Sequence, residues 1–192
     1  MNNFNWDTSF LVDFDLHTGE SKTSEVTKRY LSQMKNMFSD TEAVEKILEN
    51  EDPVIYEFHE LGFPEEAGHI AFGTSIVHPG TIGNEYYMTK GHFHTILETA
   101  EVYYTLSGEG YMVMENPEGD TMEVPLRKGE VIYVPKRYAH RSVNTGNIPL
   151  VMFFSFGAEA GHDYGTIETK GYHKLIVEEN GKSAIVDNPH WK

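Results

Sequence analysis

From Asp52 onward, apolar residues fall in short runs whose inward and outward positions alternate, and turn-forming residues interrupt them at intervals of roughly eight to twelve. The runs cover 53–60, 69–78, 84–89, 101–107, 110–116, 121–124, 130–135, 141–144, 150–156 and 173–178. Between them stand His78-Pro79-Gly80, Ser107-Gly108-Glu109-Gly110, Asn116-Pro117-Glu118-Gly119-Asp120, Lys128-Gly129 and Asn144-Thr145-Gly146-Asn147. Short strands at this spacing predict an antiparallel sandwich or closed barrel. Near the end, Glu178-Glu179-Asn180-Gly181-Lys182 reads as a hairpin, because Asn-Gly suits the positive φ of a tight turn. It leads into Ala184-Ile185-Val186 and a tail ending Pro189-His190-Trp191-Lys192.

Residues 1–50 follow another period. Val26, Tyr30, Leu31, Met34 and Phe38 recur at helical spacing and predict a first helix. Ser39-Asp40-Thr41-Glu42 reads as a capping box that opens a second, with Val44, Ile47 and Leu48 on one face. About 50 residues are too few for an independent module without staples. The division expected is therefore a barrel over 51–192 with an N-terminal helical extension, 1–50, packed against it as a clasp.

Composition narrows the chemistry. The 192 residues are 39% hydrophobic and include 11 Phe and 11 Tyr, enough for one well-packed domain. The formal net charge of −15 repels nucleic acid and anionic membranes, so neither is expected as a partner. There is no cysteine, which removes disulfides, thiolate metal sites and Cys nucleophiles together. No apolar run reaches the length of a membrane span, and the first residues lack a basic and apolar leader pattern. A cytoplasmic protein is the expectation. Neither a Walker loop nor a dinucleotide fingerprint occurs.

Any metal must then be held by nitrogen and oxygen, and one stretch offers them. His92 and His94 have one residue between them. In an extended strand such a pair points to one side, whereas on a helix the rings would diverge. Glu101 follows seven residues on, and His140 stands in a second block behind the turn at 135–139. Three imidazoles and a carboxylate suit a borderline divalent cation and leave two of six coordination positions for a substrate. Counting forward from His94 selects Glu98 as the carboxylate, and counting back from Gly108 selects Glu101. Glu101 is preferred, because it shares one strand face with Tyr103 and Thr105.

These two blocks resemble the paired motifs of the cupins, with Arg137 where the second motif has glycine. A closer resemblance, over roughly residues 10–192, is to the cupin-type glucose-6-phosphate isomerases typical of archaea and found in some bacteria. It is carried by Glu51-Asp52-Pro53-Val54-Ile55-Tyr56-Glu57, Thr89-Lys90-Gly91-His92-Phe93-His94, Ala100-Glu101-Val102-Tyr103, Pro117-Glu118-Gly119-Asp120, Tyr133-Val134-Pro135, Ala139-His140-Arg141 and Asp187-Asn188-Pro189. Most specific is Ala160-Gly161-His162-Asp163-Tyr164-Gly165-Thr166-Ile167, which lies outside the general cupin motifs.

The resemblance implies a double-stranded β-helix (jelly-roll) homodimer that interconverts glucose 6-phosphate and fructose 6-phosphate. It implies one divalent metal per subunit, iron(II) first, with manganese, nickel, cobalt or zinc also compatible. The implied ligands are His92, His94, Glu101 and His140. Thr89, Gly91 and Ser75 fall at the phosphate, and Tyr56, Tyr103, His162 and Tyr164 line the sugar pocket. Glu101, His162 and Tyr164 are the catalytic candidates, with Glu101 as base unless hydrogen moves as hydride. Arg137 replaces a tyrosine of the family pattern and could reach a phosphate. A metal-dependent dioxygenase or a non-catalytic sugar binder would use a similar ligand set, and the 160–167 block favours the isomerase.

Overall fold

The structure is a computed structural model that describes residues 4–191. Met1–Asn3 at the start of the chain and Lys192 at the end of the expected tail lie outside the described residues. In chain order the strands are β1 Glu25–Tyr30, β2 Val54–Glu60, β3 Ile70–Val77, β4 Thr81–Ile82, β5 Glu85–Tyr86, β6 Glu101–Ser107, β7 Glu109–Glu115, β8 Thr121–Arg127, β9 Val131–Val134, β10 Ala139–Asn144, β11 Leu150–Gly157, β12 Lys174–Glu179 and β13 Lys182–Asp187. Two short helices are α1 Thr41–Leu48 and α2 Gly165–Lys170.

The strands form a six-stranded sheet in the order β1-β2-β3-β11-β6-β9, a three-stranded sheet β10-β7-β8 and a four-stranded sheet β13-β12-β5-β4. All the pairings within them are antiparallel. The order is that of a jelly-roll barrel, in which consecutive strands cross between facing sheets. The turn at Ser107–Glu109 is one such corner, since β6 and β7 belong to different sheets. Gly108 makes it with φ +77, and a Cβ there would stand 2.6 Å from Pro149 O. Only glycine meets both demands.

Alternation decides what faces inward. On β6, Glu101, Tyr103 and Thr105 are buried while Val102 and Tyr104 face out. β8 carries Pro125 in mid-strand, which is tolerated because β8 is an edge.

The N-terminal expectation needs two corrections. No helix spans the set from Val26 to Phe38. Residues 25–30 form β1 on the open edge of β2, followed by two 3-10 turns, Leu31–Gln33 and Lys35–Met37. Edge pairing outweighs the helical spacing here, and Val26 and Tyr30 are left exposed. Leu31, Met34 and Phe38 still enter the core, because 3-10 turns also bring residues three or four apart to one side. The second helix does form, but its cap is Asp40, whose carboxylate accepts from Ala43 N–H at 2.9 Å. Ser39 instead donates its N–H and its hydroxyl to Glu85 Oε2, at 3.0 and 2.8 Å. The strand expected over 84–89 shortens to Glu85–Tyr86, and β4 is additional.

One buried carboxylate ties the C-terminal elements to the barrel. Glu115 is fully buried and accepts from Lys170 Nζ at 2.6 Å, His173 N–H at 2.6 Å and Trp191 Nε1–H at 3.2 Å. The Trp191 ring stacks on His173 at 4.5 Å. Glu115→Ala strands a half-buried ammonium and two N–H donors, so a loss of about 3 kcal/mol is expected. Urea denaturation checks this, and a loss below about 1 kcal/mol, the range of a surface ion pair, would contradict the clamp.

Candidate metal centre and sugar pocket

The first two candidate ligands sit on a single extended segment held on both sides. His92 exchanges backbone hydrogen bonds with His140 on β10, at 3.4 and 3.1 Å. Phe93 exchanges them with Asp163, at 3.1 and 2.8 Å. His92 and His94 therefore point into the barrel while Phe93 joins the core. Gly91 starts the segment at φ +74, and a Cβ there would lie 2.4 Å from Tyr172 Oη. Glu101 comes from β6 and His140 from β10.

The four donor atoms lie within 4.8 Å of one another. Their outer hydrogen bonds set the tautomers. Thr99 Oγ1 donates to Ile96 O at 2.6 Å, so it accepts from His94 Nδ1–H at 2.8 Å. His140 Nδ1 faces Tyr138 O at 3.4 Å, an atom that can only accept. Both rings thus turn an Nε2 lone pair inward. His94 Nε2 lies 3.2 Å and His140 Nε2 2.9 Å from Glu101 Oε2. His92 Nε2 is buried without any partner among the described residues. Four electron-pair donors that converge in this way could hold a positive charge between them. A divalent cation at bonds of about 2.0–2.2 Å fits this set.

Electrostatics agree. Burial lowers His92 well below 6.5, and the neighbouring imidazoles lower it further, so it stands neutral and ready to ligate. Burial pulls Glu101 upward, but the imidazoles facing it, His140 foremost, hold its carboxyl well below the usual carboxylate range. The carboxylate is ionised. Tyr103, whose hydroxyl lies 3.2 Å from His140 Nε2, is raised by burial and then by Glu101, and remains a neutral phenol.

A partly open cavity lies on this cluster. Its walls carry His92, Glu101 and His140 together with the expected Tyr56, Ser75, Thr89, Gly91, Tyr103, His162 and Tyr164. His94 lies behind the wall, buried. His162 and Tyr164 stack on each other at 5.8 Å, and the His162 ring stands 4.4 Å from that of His92. They face inward because Asp163, between them, faces out and accepts from Thr166 N–H and Oγ1–H at the start of α2. Burial lowers His162 and raises Tyr164.

Two residues weighed from the sequence lie elsewhere. Glu98 is exposed and pairs with Lys136. Arg137 points away from the cavity and pairs with Glu118 at 2.5 Å. Its φ of +73 accounts for the glycine of the general motif at this position, and its N–H donates to Leu97 O at 2.7 Å. The expected reach to a phosphate is not realised.

Sequence reasoning missed Phe58, Glu60, Ser142, Phe154 and Phe156 on the same walls. Strand parity could have found them: Phe58 and Glu60 follow Tyr56, and Ser142 follows His140, at steps of two. Glu60 is raised to about 7, by burial first and then by Glu101 and Glu65.

A jelly-roll barrel with three histidines and one glutamate converging inside it defines a cupin whose donor set could hold a metal ion. Comparison with known proteins carries the assignment further. A family model described as glucose-6-phosphate isomerase matches residues 28–191. The glucose-6-phosphate isomerase of Thermococcus litoralis is 44% identical over 183 residues, 95% of this chain and 96% of that protein. The one from Sinorhizobium medicae is 36% identical over 93% of this chain and 85% of its own length. Among solved structures, a double-stranded β-helix protein from Klebsiella pneumoniae covers 64% of this chain and 84% of its own, at 15% identity and a TM-score of 0.44. The chain belongs to the cupin-type glucose-6-phosphate isomerase family. Among the described residues no helix is long and apolar enough to cross a membrane.

Glu60 gives a pH signature. Its folded pKa of about 7 lies above the ordinary 4.5, so the folded chain holds this proton more tightly than the unfolded one. Stability at this group is therefore lost as pH rises from 4.5 through about 7. Glu60→Gln should melt above the parent at about pH 8, and the two should converge below pH 4.5. Identical melting temperatures throughout would contradict the assignment.

Proposed function

We propose that this protein interconverts glucose 6-phosphate and fructose 6-phosphate, with one divalent cation held by His92, His94, Glu101 and His140. The observation that carries the reading is the convergence of these four donors, three of them on the wall of a cavity that several hydroxyl-bearing side chains also line. Family membership supplies the reaction. Iron(II) leads among the compatible metals, because nitrogen and carboxylate donors with open positions suit it.

A cation held by His92, His94, Glu101 and His140 would supply Lewis-acid polarisation of the substrate's oxygens. The rest falls to side chains. Thr89, Gly91 and Ser75 receive the phosphate, where a hydroxyl pair and a backbone without Cβ allow close approach. Tyr56 and Tyr103 border the sugar as neutral phenols. Glu101, ionised and inside the cluster, takes the proton from one carbon and returns it to the next. His162 and Tyr164 stand where a proton must pass between the two oxygens.

Three further readings accompany this. Val102 and Tyr104 on β6 pair with Tyr133 and Val131 on β9, and all four side chains are exposed on the outer sheet face. That apolar strip supports a homodimer. Residues 51–192 form the barrel, and 1–50 belong to the same domain, since Leu31, Met34 and Val44 enter one core with it. A cytoplasmic location follows from the substrate, because phosphorylated sugars do not cross membranes unaided.

Protein stripped with chelator and reloaded with iron(II) or manganese should convert fructose 6-phosphate, and His140→Ala should lose this by at least about a thousandfold. Reloaded protein that makes no glucose 6-phosphate would sink the proposal. Solvent deuterium at C2 at low conversion is expected for a Glu101 base, and its complete absence would assign a hydride shift. Sedimentation of the same sample should give twice 21.9 kDa.

A further inference from the structure

The segment Thr89-Lys90-Gly91 is held from behind by β10. Thr89 N–H donates to Ser142 O at 2.9 Å, and Ser142 N–H donates to Thr89 Oγ1 at 3.1 Å. Between His140 and Ser142, which face the cavity, Arg141 faces the other way and is buried. Its guanidinium donates to Lys90 O at 3.1 Å and to Met88 Sδ at 2.7 Å, and lies 4.1 Å from the centre of the Tyr172 ring. Among the described residues it forms no ion pair, and its Nε has no partner. The buried carboxylates of Glu85 and Glu115 act on it through space but do not touch it, so the guanidinium is still able to act on a further anion.

The hydrogen bond to Lys90 O bears on the cavity. Lys90 C=O and Gly91 N–H belong to one trans peptide plane and point in opposite directions. With the oxygen drawn outward by Arg141, the N–H is turned inward, toward the cavity that Gly91 lines. No acceptor among the described residues takes it. Accepting a charged hydrogen bond also polarises the peptide and strengthens its N–H as a donor. Tyr172 Oη occupies the place of a Gly91 Cβ, so the bare backbone fronts the cavity here. The Lys90 ammonium is committed to Glu168 at 2.6 Å. Over the whole chain the field opposes anions, at −15.

We propose that Arg141 is the positioning residue of the phosphate end: it fixes and polarises the Lys90–Gly91 peptide and sets a positive charge behind it. The identity of the anion, a sugar phosphate, rests on the function proposed above. Arg141 touches neither the sugar nor the metal ligands' donor atoms. It acts through the Gly91 amide.

Inorganic phosphate is the probe. Its Kd is measured by calorimetry for the parent, Arg141→Lys and Arg141→Met with the same added metal, alongside KM and kcat for fructose 6-phosphate. Arg141→Met should weaken phosphate about tenfold and raise KM to match, while kcat moves less than about threefold. Arg141→Lys, with charge but no planar fork, should recover part of the loss. Unchanged phosphate affinity in folded Arg141→Met would overturn the proposal. In unmutated protein loaded with diamagnetic zinc, saturating phosphate should shift the Gly91 amide proton and slow its exchange. A Gly91 amide that does not respond overturns the proposal even if the variants do not fold. Phosphate binding is read without turnover, so failure here and failure of the isomerase reading are distinguishable.

Discussion

Four buried electron-pair donors, aimed at one point, are the constraint on which this structure turns. With both Nε2 lone pairs turned inward, His94 and His140 stand 3.2 and 2.9 Å from the Glu101 carboxylate, an arrangement that a cation between them would relieve. The fold brings them together regardless, from β6, from β10 and from the bridged segment at His92–Phe93. Each ligand is further locked from outside, His94 by Thr99 and His140 by the Tyr138 carbonyl. On the proposed reading, a cation inside the cluster offsets this crowding, and the barrel is its frame.

The same cavity is asymmetric. Glu60 and Glu101 crowd the sugar end, where Glu60 is pushed to about 7 by burial and by its neighbours. Ser75, Thr89, Gly91 and Ser142 make the other end free of carboxylates, with Arg141 behind it. On the proposed reading an anionic group is repelled from the first and received by the second, so the asymmetry would orient a sugar phosphate before any chemistry. This is how a chain of net charge −15 can take an anionic substrate.

Much of this was legible in the sequence, because period-two alternation and the His-x-His step are local properties of a strand. Counting and parity together favoured Glu101, and the structure places it in the cluster while Glu98 pairs with Lys136 on the surface. What parity could not show was tertiary. Residues 25–30 carry helical spacing but lie beside an open edge of β2, and the edge prevails. Ser39 leaves its capping role because Glu85, buried and distant in sequence, takes both its donors. Arg137 sits at a glycine position, and only the backbone reveals the cost, a left-handed φ that turns its side chain toward Glu118. Arg141 entered the sequence reading only within the matching run Ala139-His140-Arg141, with nothing to show its role, since its partners are a carbonyl, a sulfur and a ring face.

The central claim is that the cluster holds one cation. The most direct measurement is metal content by elemental analysis after chelator treatment, reloading and exhaustive dialysis, on the parent and on a His92→Ala/His140→Ala double variant. The account predicts one equivalent of divalent metal per chain in the parent and essentially none in the double variant. A parent that retains no metal, or a double variant that retains a full equivalent, would contradict it.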